Sequence, residues 1–61
     1  MDDFTATMIA EGVESAGSPE RYYAAWQHLV DTGLAWKLQG FFGRTATFLI
    51  EQGHIRPKEA A

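Results

Sequence analysis

Apolar residues recur at helical spacing in three stretches of the chain, and glycine or proline separates them. The clearest stretch opens at Ser18-Pro19-Glu20. Serine suits a helix cap, proline the first helical position, and glutamate the positive end of the helix dipole. Beyond it, Tyr22, Tyr23, Trp26, Leu29 and Val30 fall on one face, with Glu20, Ala24, Gln27, His28 and Asp31 opposite. Gly33 offers a left-handed stop, so the spacing predicts helix 2 over about residues 19–32.

A second pattern starts at Gly40. Phe41, Thr45, Phe48, Leu49 and Gln52 line one side of a helix, and Phe42, Ala46 and Ile50 widen that side. Gly53 closes this helix 3, about residues 40–52, and Pro57 prevents its resumption. Its apolar arc is wider than one short neighbour covers, which predicts a second chain or a partner over it. At the start of the chain FTATMIAE predicts a short helix 1, capped by Asp2 or Asp3, with Phe4, Met8, Ile9 and Val13 as its stripe. Between Gly33 and Gly40, LAWKLQ alternates like a strand, but Leu34 and Leu38 also share a helical face. No partner strand is in sight, so this stretch reads as a helical turn or an extended connector that tucks Trp36 inward. Residues 56–61, RPKEAA, read as a frayed polar tail. The expected fold class is all-α: one small three-helix domain over residues 1–61, completed by dimerisation or by a partner.

Size sharpens that expectation. A 61-residue chain buries only about 60% of the surface its unfolded form exposes. It has no cysteine, hence neither disulfides nor a thiolate metal site, which leaves oligomerisation or a larger partner as the usual support. A composition of 46% apolar and 21% charged residues excludes a disordered chain. The net charge of −3 argues against a dominant phosphate-binding role. Asp2, Asp3, Glu11, Glu14 and Glu20 all precede the first base, whereas Lys37, Arg44, Arg56 and Lys58 follow Gly33. Ends of opposite sign can attract each other within a fold or a dimer. No apolar run nears the roughly 20 residues of a membrane span, and the acidic start is unlike a signal peptide. A cytoplasmic protein with no membrane partner is expected.

Candidate chemistry is sparse. Gly40-Phe41-Phe42-Gly43 ahead of Arg44-Thr45 has the outline of an anion-binding turn at a helix start. Its central residues are phenylalanines, however, and no lysine follows, so two glycines that permit close packing explain it better. His28 and Asp31, three apart, are too few for a metal site. No serine, histidine and acid pattern suggests an activated nucleophile. Catalytic residues, cofactor ligands and metal ligands are therefore assigned nowhere, and the chain is expected not to be an enzyme. Helix 2, the Asp31-Thr32-Gly33 turn and helix 3 have lengths that suit a helix-turn-helix, with Arg44, Thr45 and Gln52 toward DNA and Lys37 and Arg56 toward phosphate. That reading lacks a basic footprint and is an alternative, not the choice. Tyr, Trp and Arg dominate interaction hot spots, and a chain this short cannot enclose every large ring. Tyr22, Tyr23, Trp36, Phe41, Phe42, Arg44 and Phe48 are the expected interaction residues.

Four motifs carry a resemblance: AWQHLVDTG at 25–33, W-x-L-Q-G at Trp36 and Leu38 to Gly40, F-G-R-T-A at 42–46, and L-I-E-x-G at 49–53. Together they resemble a small family encoded mainly by bacteriophages and prophages, to which no reaction, cofactor or catalytic residue is assigned. The resemblance implies a short phage-type accessory protein, and the first seventeen residues do not contribute to it. The expected function is a non-enzymatic accessory protein of the host-cell cytosol, a homodimer that binds and modulates a host or phage protein. The alternatives are a small nucleic-acid-binding regulator and a structural component of a virion or other assembly.

Overall fold

Each helix starts and stops where its side-chain chemistry dictates. A computed structural model describes residues 1–58 and places α1 at Asp3–Glu11, α2 at Pro19–Thr32, α3 at Leu34–Lys37 and α4 at Gly40–Glu51. The Asp2 carboxylate accepts from the Thr5 N–H at 2.8 Å and caps α1. Ser18 Oγ does the same for the Arg21 N–H at 3.2 Å, with Pro19 in the first turn of α2. Gly33, at φ +83°, ends α2 and starts α3 in one residue, a reversal that an L side chain resists. At the end of α4 the His54 N–H returns to the Leu49 carbonyl at 3.0 Å, the wrap of a glycine-terminated helix.

The all-α expectation holds: there is no strand among the described residues. Helices 2 and 3 of the sequence reading are α2 and α4, and the ambiguous LAWKLQ stretch is the helical turn α3. The element count is four because that turn is a helix in its own right. None of the helices among the described residues is long and apolar enough to cross a membrane.

Trp26 is fully buried at the centre, with Leu29 and Val30 beside it on α2. Burying an aliphatic side chain of this size contributes about 1.5–3 kcal/mol. Phe42 lies 5.8 Å from the Trp26 ring and tilted to it, and Ala46 and Leu49 continue that buried stripe along α4. The Trp26 indole N–H is enclosed without an acceptor among the described residues. On α1 the buried residues are Ala6, Ile9 and Ala10, whereas Phe4 and Val13 face outward. The expected Phe4–Met8–Ile9–Val13 stripe is thus replaced by a smaller one, since alanines let α1 lie close against α2.

The segment after α4 folds back over α2. Ile55 is buried, His54 stacks on Tyr23 at 4.6 Å, and the Gln27 side-chain amide holds the Arg56 backbone at both ends. In that clamp Gln27 Nε2 donates to the Arg56 carbonyl and the Arg56 N–H donates to Gln27 Oε1, both at 2.8 Å. Arg56 is therefore anchored, and residues 59–61 of the polar tail lie outside the described residues. The Cα radius of gyration, 10.5 Å, is that of a folded chain of this length.

Candidate protein-interaction face

Two stripes run along α4, and only one is covered. Phe42, Ala46 and Leu49 face the core. On nearly the opposite side of the helix, the spacing Gly40, Gly43, Arg44, Thr47, Phe48 and Glu51 makes a second stripe, which with Trp36 borders an open groove of about 500 Å³. Trp36 comes from α3. The sharp reversal at Gly33 and the single turn of α3 set its ring against α4, where a methyl group added at Gly43 would meet Trp36 Cε3 at 3.5 Å. Trp36 is 50% exposed and Phe48 is 56% exposed. The connector does not tuck Trp36 inward as expected: Ala35 takes the buried position of α3, and its neighbour in the sequence points outward.

Arg44 borders the same groove. Its guanidinium folds back over Gly40, where an added methyl would come within 2.9 Å of one nitrogen. Among the described residues neither Arg44 nor Glu51 takes part in an ion pair, and the one such contact is between His28 and Asp3. Gly40 and Gly43 thus make room for Arg44 and Trp36 within the helix surface.

The other expected interaction residues lie elsewhere. Phe42 is buried at 5% exposure and belongs to the core, a correction to its place among interaction residues: the helix phase that exposes Phe48 turns Phe42 inward against Trp26. Phe41 is half-exposed and packs edge-on to both Trp26 and Phe42. Tyr22 and Tyr23 are half-buried at the core margin, and Tyr23 borders a separate hollow with His54 and Arg56. So the structure gathers Trp36, Arg44 and Phe48 and disperses the rest.

Several working residues escape the sequence reading. His28 and Gln27, placed on the polar face of α2, are long-range clasps: His28 Nε2 lies 2.6 Å from Asp3 Oδ1, and Gln27 holds Arg56. Asp31 takes a hydrogen bond from Gln27 Nε2 at 3.0 Å and does not approach His28 as a ligand pair would. Thr47 and Glu51 belong to the groove. The signal for Glu51 was present, since it follows Arg44 by two helical turns. The signal for Ile55 was an apolar residue just past a helix-ending glycine.

One charged group outside the groove is perturbed. The Asp2 carboxyl is held below its ordinary range by the hydrogen bond from Thr5.

No curated protein and no solved structure matches the chain. Residues 16–61, which carry α2, α3 and α4 but not α1, match a family model described as a domain of unknown function, DUF7417, and the chain belongs to that family.

Proposed function

We propose that this chain is a non-enzymatic, phage-type accessory protein that works by binding protein, with the Trp36–Phe48 face of α3 and α4 as its contact surface. One observation carries the reading: two large aromatic side chains stay half-exposed around a small-residue groove while the core behind them is already filled. Leaving such rings in water forgoes stabilisation that a 61-residue domain needs. Trp and Arg are among the residue types that carry most energy in protein interfaces. The scaffolding duties of Ser18, as a helix cap, and of His28, paired to Asp3, support a role without catalysis. The resemblance of residues 25–53 to a phage-encoded family is what suggests the accessory role and a place in the host cytosol.

The test compares the wild-type chain with a Trp36→Ala/Phe48→Ala variant as baits in a bacterial lysate. A protein retained by the wild type and lost by the variant, with the helical circular dichroism unchanged, is the expected result. Equal recovery by both baits overturns the reading.

A further inference from the structure

The outer stripe of α4 has a symmetry of its own. Arg44 and Glu51 stand seven positions apart on one stripe, about 10 Å along the axis, with Thr47 and Phe48 midway between them. Neither charge is ion-paired within the chain among the described residues. Two copies of α4 laid antiparallel, with a two-fold axis passing between Thr47 and Phe48, bring each Arg44 to the level of the other copy's Glu51. The same operation sets each Phe48 against the other copy's Thr47, a large residue against a small one. A parallel pairing would instead set Arg44 on Arg44 and Glu51 on Glu51.

We propose that this face is the interface of a homodimer in which the two α4 helices pack antiparallel, with Arg44 of each chain paired to Glu51 of the other. The inference rests on the α3–α4 face being the contact surface, and it names a second copy as the occupant. A two-fold interface must be self-complementary, residue i meeting j and j meeting i, and the Arg44–Glu51 spacing meets that demand. Gly43 and Thr47 are small enough to let the helices approach, and Trp36 covers the flank. Half-exposed rings of this class each hold on the order of 100 Å² of free surface, so a dimer withdraws roughly 400 Å² of ring surface from its two copies. Stable interfaces bury about 1,200–2,000 Å² in all, of which the rings supply roughly a third or less, so the dimer is a weak one that forms only at high concentration.

Sedimentation of the full chain over a concentration series at low ionic strength tests the geometry through charge swaps. Wild type is expected to dimerise. Arg44→Glu and Glu51→Arg, each alone, should weaken the dimer roughly tenfold, because each turns two attractive pairs into two repulsive ones. Mixing the two single variants should restore association as a heterodimer, and the double swap Arg44→Glu/Glu51→Arg should restore the homodimer. Both side chains are exposed, so the helical circular dichroism should not change. A wild type that stays monomeric to millimolar concentration overturns the proposal, as does a dimer indifferent to the single swaps. If the wild type is monomeric while Trp36→Ala/Phe48→Ala still abolishes capture of another protein, the dimer falls and the contact surface stands. If the swap pattern appears but both baits recover the same proteins, the dimer stands and the binding of other proteins through this face falls.

Discussion

Helices α2 and α4 are built from similar material and meet opposite fates. Both are amphipathic, both carry large aromatic residues, and both are followed by a glycine with positive φ. Helix α2 is enclosed: α1 lies along it, the segment with Ile55 crosses it, and Phe42 closes over Trp26. Helix α4 has one stripe in that core and a second, with Phe48 and Arg44, left facing out. The difference lies in supply of neighbours. A chain of this size has enough helix to wrap one central helix and no more. The back of α4 is left uncovered, as is the Phe4 side of α1, but of the two only the α4 face sets two large rings around a groove, and such a face is suited to contact with another chain.

The widest gap should come from the two tryptophans, Trp26 in the covered core of α2 and Trp36 of α3 beside the outer face of α4. Trp26→Ala removes the fully buried centre and is expected to cost about 3–5 kcal/mol, enough to unfold a small domain. Trp36→Ala should change stability by no more than about 0.5–1 kcal/mol while abolishing association. Urea titrations followed by circular dichroism compare them. If the two cost the same, the contrast between covered and uncovered helices fails. The phenylalanines of α4 repeat the test within one helix: Phe42→Ala is expected to cost about 3 kcal/mol or more, and Phe48→Ala under about 1 kcal/mol.

Next in size is the clasp that keeps α2 covered. Gln27→Ala removes both hydrogen bonds to the Arg56 backbone and should cost about 1–2 kcal/mol. Gln27→Glu keeps the acceptor but sets a carboxylate against the Arg56 carbonyl and the Asp31 carboxylate, so it should cost at least as much as alanine. Limited proteolysis at residues 53–58 reads out the release of the segment from α2. Cleavage unchanged in Gln27→Ala would show that Ile55 and the His54–Tyr23 stack hold it without the clamp.

Smaller effects are expected at the groove and at α1. Gly43→Ala should stabilise α4 by about 0.5–1 kcal/mol, because the added methyl meets Trp36 at an ordinary 3.5 Å contact and alanine is the better helix former. The smallest effect concerns Asp2. Its carboxyl titrates below its ordinary range when folded, so the ionised cap stabilises α1 above the unfolded carboxylate's pKa. That contribution is lost as pH falls through the folded value. Asp2→Asn caps without titrating, so the loss of helical signal below about pH 4 should be shallower than in wild type. Parallel acid titrations of the two proteins would contradict this.

Much of the fold was legible because its boundaries are written in local chemistry. Ser18-Pro19, Gly33 and Gly53 act on the backbone within a turn or two, so α2 and α4 could be placed from their neighbours in sequence. Facing directions were harder to read. Phe41 and Phe42 are adjacent and equally apolar, and only the packing of α4 on Trp26 decides that Phe42 is the one enclosed. Trp36 points outward because α3 is a single turn whose buried position goes to Ala35. Gln27 and His28 look solvated on a helical wheel, yet each reaches a residue more than twenty positions away. Such clasps are tertiary facts that no periodicity encodes. The groove proposed as contact surface was half legible: Trp36, Arg44 and Phe48 stood out by type, while Thr47 and Glu51 joined them only through the groove.

If the outer stripe of α4, with Trp36, is where this chain meets protein, the first protein it meets in a pure solution is a second copy of itself. Backbone and indole N–H chemical shifts of the full chain, recorded from micromolar to millimolar concentration, test this most directly. Concentration-dependent shifts are expected at the Trp36 indole and along Gly43 to Glu51, with the buried Trp26 indole unmoved. Shifts confined to α1 around Phe4 and Val13, or a spectrum that does not change with concentration, would contradict it.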